Sequence, residues 1–181
     1  MTLYELGDVD RITADAIGEP GERVFFLQMA ADARTYTITV EKEQVRLLAT
    51  SILEILANVD LETGAGIDEA AMALELPLDP LWRAGRLALG YEEDRDRMTL
   101  EVEEFVRDAP EEDEPGFVGD PALEREPDRV RASATREQML ALSRHGEAVV
   151  SRGRPTCQFC GNPIDPDGHR CPAMNGHAKH D

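Results

Sequence analysis

The chain is poor in cysteine, in cationic side chains and in long apolar runs, and each shortage removes a class of protein. Its three cysteines, Cys157, Cys160 and Cys171, are an odd number confined to fifteen residues of a 181-residue chain, which excludes a framework of disulfides holding a small secreted fold together. Lysine and arginine total 19 against 37 acidic residues, a formal net charge of -18. A surface that acidic repels phosphate backbones and anionic lipid, so nucleic acid and membrane are disfavoured as partners. No stretch approaches the length of a membrane span, and Met1 to Gly7 lacks the basic and apolar regions of a signal peptide; the expected compartment is the cytoplasm. No glycine-rich phosphate loop and no nucleophile–base constellation is present, so an enzyme is disfavoured on motif grounds, although clustered acidic groups and arginines occur.

What remains is a chain with 41% hydrophobic and 31% charged residues, enough apolar material for one core plus an appendage. Arg11 to Ile17, Arg23 to Ala30 and Thr35 to Glu41 carry period-two alternation or β-branched and aromatic residues, and predict three antiparallel strands with a turn at Ala31 to Arg34. Glu43 to Val59 repeats apolar residues at three and four (Val45, Leu48, Ile52, Ile55, Val59) and predicts a helix with one stripe toward the sheet. After a weaker helical stretch at Asp68 to Leu74, Trp82 to Tyr91, Arg97 to Val106 and Arg129 to Ala134 predict three more strands, followed by a helix from Arg136 to Val150 capped by Thr135. Lys42-Glu43-Gln44 before the first helix is echoed by Arg136-Glu137-Gln138 before the second, which suggests two duplicated βββα halves. The expected class is α+β, a largely antiparallel sheet with covering helices, over residues 1–150. Within it, residues 108–128 form an acidic, proline-punctuated loop too polar to pack by itself and suited to a basic partner. Residues 151–155 read as a linker and 156–181 as a small separate tail.

The tail holds the strongest signal. Cys157-x-x-Cys160 and Cys171 have the spacing of ligands to a tetrahedral zinc, and the fourth is drawn from His169, His177 and His180. Asp165 to Gly168 is turn chemistry, which would return His169 and Cys171 as a strand with both side chains on one face. His177, six residues past Cys171, is the alternative fourth ligand at a larger ordering cost. A thiolate-rich closed shell favours one structural zinc over a catalytic ion, and a zinc-ribbon-like lobe follows.

Other residues are weaker candidates. Glu101, Glu103 and Glu104 end a strand and offer paired carboxylates. Arg83, Arg86, Arg95 and Arg97 offer cations for a phosphorylated ligand but sit among Glu92, Glu93, Asp94 and Asp96. His145 is expected to interact with its helix C-terminus, and Trp82 and Tyr91 are expected at the core or its rim.

The ending Cys-x-x-Cys-Gly-Asn-Pro-Ile-Asp-Pro-Asp-Gly-His-Arg-Cys-Pro, with the opening Leu-Tyr-Glu-Leu and the run Arg-Val-Phe-Phe-Leu-Gln, resembles an uncharacterised actinobacterial family, a domain of unknown function of about this length. The resemblance implies no activity. It implies a basic residue where this chain has Ala173 and an aromatic where it has His177, which favours His169 as ligand. The expectation is therefore a cytoplasmic, non-enzymatic module that binds a protein partner and carries structural zinc. An enzyme acting on a small phosphorylated or nucleotide-like substrate is the alternative, and the sequence specifies no small ligand.

Overall fold

The computed structural model describes residues 1–59, 69–106, 125–153, 156–162, 164, 168–169 and 171–172. Strands β1 (Leu3–Asp8), β2 (Arg11–Ile17), β3 (Val24–Ala31) and β4 (Arg34–Val40) lead into helix α1 (Lys42–Ala57). A 3-10 turn at Glu69–Met72 precedes β5 (Pro80–Glu92), β6 (Arg97–Glu104), β7 (Arg129–Ala134) and helix α2 (Arg136–Ser151). The class is α+β, with one seven-stranded sheet ordered β1-β7-β6-β5-β4-β3-β2. It is mostly antiparallel, with parallel pairs at β1–β7 and β4–β5.

The period-two strands pair as their patterns demand. Ala14, Leu27 and Ile38 stand side by side across β2, β3 and β4, and Leu89, Leu100 and Ala132 do the same across β5, β6 and β7. These rows supply much of the core together with Val45, Leu48 and Ile52 of α1 and Met139, Leu142 and Val149 of α2. The α1 stripe faces more than the sheet: α2 packs against it through Gly146, where an added Cβ would lie 3.2 Å from Val45 Cγ1, and Ser143 Oγ donates to the Ala49 carbonyl at 2.8 Å.

The first strand is not among those expected from the sequence. Tyr4-Glu5-Leu6-Gly7-Asp8 has little β-branched character, and its partner is β7, at the other end of the body. β1 and β2 lie at opposite ends of the strand order yet are joined by only Val9 and Asp10, so the sheet must curl until its edges approach. Val9 N–H reaches the Ser133 carbonyl of β7 and Asp10 N–H the Ala30 carbonyl of β3, both at 2.8 Å. The β3–β4 turn is tighter than expected, with Asp32 and Ala33 both at positive φ (49° and 60°) as a two-residue hairpin requires.

The two helix starts are built alike. Gln44 Oε1 accepts from Glu41 N–H, and Gln138 Oε1 from Thr135 N–H, each at 2.8 Å. The amide nitrogen of each glutamine then crosses to the opposite half. Gln44 Nε2 donates to the carbonyls of Ala84 (3.3 Å) and Gly85 (2.8 Å) in β5, and Gln138 Nε2 to those of Val9 (3.0 Å) and Asp10 (3.1 Å) at the entry to β2. The three-residue echo in the sequence thus marks equivalent positions in β2–β3–β4–α1 and β5–β6–β7–α2.

The halves differ on the face away from the core. Thr13, Gln28 and Thr37 are aligned across β2, β3 and β4 and are all buried. Gln28 Nε2 donates to Thr37 Oγ1 and to the Glu75 carbonyl, both at 3.1 Å, and its Oε1 accepts from Glu75 N–H at 2.8 Å and from Arg11. Thr13 Oγ1 donates to the Met72 carbonyl, and Arg11 to that of Ala73 at 2.7 Å. The chain after the 3-10 turn is thereby strapped across this face.

Candidate metal centre

Around the first two cysteines the chain forms a tight loop. The Cys157 N–H donates to the Asn162 carbonyl at 2.8 Å and the Gly161 N–H returns to the Cys157 carbonyl at 2.9 Å. Gly161 sits at φ +72°, a left-handed conformation that glycine adopts without a Cβ penalty and that turns the chain back after Cys160. The backbone N–H groups of Phe159 and Cys160 point at the Cys157 sulfur and hold its thiol down at about 7, within reach of the thiolate form that metals bind. At Cys160 the Asn162 N–H also lowers the thiol, but burial and the sulfurs of Cys171 and Cys157 outweigh it and raise the thiol above its usual value. Phe159, at the tip of the loop, is 71% exposed.

Cys157, Cys160, His169 and Cys171 come together, each offering a donor atom within 4.8 Å of the others. They are the one such group of three or more among the described residues. Cys157 Sγ lies 3.7 Å from Cys171 Sγ, and Cys160 Sγ lies 3.4 Å from His169 Nε2. A tetrahedral zinc with Zn–S of about 2.3 Å and Zn–N of about 2.0 Å has S···S edges of about 3.8 Å and S···N edges of about 3.5 Å. These two separations match that polyhedron, and the other four lie within 4.8 Å. They do not fit a disulfide, whose sulfurs stand about 2.05 Å apart. Cys157 and Cys171 are buried, while Cys160 and His169 are half-buried.

The return of the chain differs from expectation in form. Instead of a regular strand, a single bridge at Gly168 (φ +89°) precedes His169, and neither His169 nor Cys171 is extended in a ladder. His177 and His180 lie outside the described residues, as do Asp165 to Asp167 and residues 108–124 of the acidic loop.

Most of the weaker candidates are absorbed into structure, while Glu101 and Arg86 have no ion pair among the described residues. Glu103 pairs with Arg129 at 3.1 Å, and Glu104 pairs with Arg125 while accepting the Asp128 N–H at 3.1 Å. Arg83 pairs with Glu41 at 2.8 Å and stacks 5.2 Å from the Phe105 ring centroid. Arg95 and Arg97 both engage Asp8, at 3.0 and 3.6 Å. Tyr91 donates to Asp96 at 2.7 Å, and Trp82 packs at the edge of the core. His145 does not serve its helix C-terminus: its side chain is 8% exposed and its Nε2 lies 3.4 Å from Asp15 Oδ2 on β2. Nothing in the local sequence of either residue signals that contact, because curling of the sheet edge under α2 creates it.

Fold and site together define an α+β protein with a Cys3His cluster near its C-terminus that can bind a metal ion, and no helix among the described residues is long and apolar enough to cross a membrane. The chain belongs to the family described as Protein of unknown function (DUF3090), whose model matches residues 4–171 and so takes in all four donors. No curated protein and no solved structure matches it.

Proposed function

We propose that this chain is a cytoplasmic, non-enzymatic protein-binding or regulatory module in which one structural zinc, held by Cys157, Cys160, His169 and Cys171, orders a small lobe of residues 156–181 separate from the body of residues 1–150. The observation that carries the zinc reading is the donor geometry: three sulfurs and one imidazole nitrogen within 4.8 Å of one another, with one S···S and one S···N separation at the edge lengths of a tetrahedral zinc. Three thiolates quench the Lewis acidity a catalytic ion would need, and four protein donors leave no vertex for water. The binding reading is supported by the fate of most of the charged candidates, since Glu103, Glu104, Arg83, Arg95 and Arg97, which a phosphoryl or acid–base site would use, are engaged in ion pairs.

Protein isolated without added metal is expected to carry one zinc per chain by elemental analysis. Cys157→Ser and Cys171→Ser should each release it while the unfolding transition of the body stays in place. His169→Ala should weaken zinc by about 10- to 100-fold more than His177→Ala in a chelator competition. Metal-free wild-type protein ends the zinc reading, the reverse order of the histidine variants moves the fourth position to His177, and collapse of the body on chelation denies the lobe its independence. For the binding reading, the tagged chain is to be used for affinity capture from its own cytosol. A stoichiometric protein partner that survives loss of any small-molecule turnover supports it, and a saturable turnover of a phosphorylated substrate replaces it with the enzyme.

A further inference from the structure

Helix α1 presents an outward face that the other described residues leave uncovered. Glu43, Arg46, Leu47, Thr50, Leu53, Glu54 and Ala57 are all exposed and recur at three and four, and two of them are large aliphatics, Leu47 at 52% and Leu53 at 40% exposure. An amphipathic helix serving only its own core would place charged or small polar residues at both. Beside this ridge, at the seam with α2, runs an open groove of about 500 Å³ floored by Ala49, Leu53, Ala57 and Val150.

The order of residues along the face identifies what would cover it. Thr50 is at its centre: Leu47 and Leu53 stand three residues to either side, Arg46 and Glu54 four residues to either side. A two-fold axis passing beside Thr50 lays a second α1 antiparallel on the first, and the pattern then complements itself. Arg46 of each copy comes opposite Glu54 of the other, the 46–50–54 rows of the two helices cross in the commonest packing class, and the leucines of both copies flank the crossing. Glu147 of α2 lines the same groove beside Glu54, and among the described residues neither carboxylate has an ion-pair partner. Arg46 is held in place by Glu43 on its own helix, which leaves guanidinium donors for a second carboxylate.

We propose that the α1 face is a homodimer interface, in which two copies of this chain pack antiparallel about Thr50 with reciprocal Arg46–Glu54 pairs and Leu47 and Leu53 buried between them. The contact is isologous, so it closes at two copies. A single helix crossing buries less than the roughly 1,600 Å² of a standard interface, which sets the expected dissociation constant on the order of 100 µM.

Sedimentation velocity of the full chain over a concentration series tests this, because the homodimer permits a charge-reversal cycle. Arg46→Glu and Glu54→Arg each place like charges across the axis and should weaken the dimer by about tenfold or more, whereas the double variant restores opposite charges and should return to within about threefold of wild type. Leu53→Glu should abolish the dimer. All three positions are exposed, so an unchanged thermal transition will certify the fold of each variant. A chain that stays monomeric up to about 0.5 mM, a dimer indifferent to both single reversals, or a double variant as weak as the singles would each overturn the proposal.

Discussion

The two halves of the body share strand order, helix placement and the glutamine that fastens each helix start, yet they treat the back of the sheet in opposite ways. In β2–β3–β4 the row Thr13, Gln28, Thr37 is sealed under the chain at residues 71–75 and every polar group in it meets a backbone or side-chain partner. In β5–β6–β7 the matching row Ala88, Glu101, Arg131 is left partly open to solvent, and the charges along this face pair in water, as Arg129 does with Glu103 and Arg131 with Glu92. A polar residue opposite the core is thus no sign of a solvent face by itself. Whether it is buried depends on where the next stretch of chain runs, and a buried hydrogen-bonding row holds that stretch in one place far better than exposed ion pairs would.

That contrast can be broken most directly at its two centres. Gln28→Met keeps the volume but strands the Glu75 N–H and carbonyl, and should cost about 3 kcal/mol in urea unfolding, with faster amide exchange across residues 71–75. Glu101→Ala, at the same place in the other half, should change stability by no more than about 0.5 kcal/mol. Equal costs would mean that the strap contributes nothing specific.

The likeness of the halves is sharpened at the crossing glutamines. Gln44→Met and Gln138→Met should each cost about 1 kcal/mol and should agree within about 0.5 kcal/mol, because each removes donations to two carbonyls of the opposite half. A large disparity in thermal unfolding would reduce the echo at residues 42–44 and 136–138 to local capping.

The smallest effect belongs to a contact that joins the halves, Asp15 of β2 with His145 of α2. Burial of Asp15 opposes its ionisation, but the His145 side chain and the Ala16 N–H outweigh it and bring the carboxyl below its ordinary 3.8. A carboxyl lowered on folding contributes stability that is present above the unfolded value and lost as pH falls through the folded one. Stability should therefore drop below pH 3.8 in wild type and drop less steeply in Asp15→Asn, as measured by urea midpoints across that range.

The sequence made the local features readable and left the non-local ones hidden. The β3–β4 hairpin, the strand at Arg11 to Ile17 and the capped start of α2 follow from alternation and from Thr135 with Gln138, signals that lie within one element. β1 was not readable because its hydrogen bonds go to β7, and the burial of Thr13, Gln28 and Thr37 was not readable because the covering segment is held by backbone carbonyls that any sequence supplies. For the candidate metal centre, the Cys157, Cys160 and Cys171 spacing and the turn residues before His169 pick out the four residues that the structure brings together. The loop that aims them depends on N–H groups of Phe159, Cys160 and Asn162, whose direction is a property of backbone conformation and leaves no mark on residue type.

The parallel seam between β1 and β7 also sets a clock on synthesis. Thr2 and Asp128, which flank that seam and bond to each other, are 126 residues apart, so β1 leaves the ribosome well before its partner and waits until nearly the whole body has followed it. At about 5–20 residues per second that interval is on the order of ten seconds. During it Leu3, Tyr4 and Leu6 hang from an unpaired edge, and Val9 and Asp10 have only one of their two anchoring strands. The nascent chain is vulnerable to a protease or to a second nascent chain in that window, and the danger ends when residues 129–134 emerge and draw β1 in.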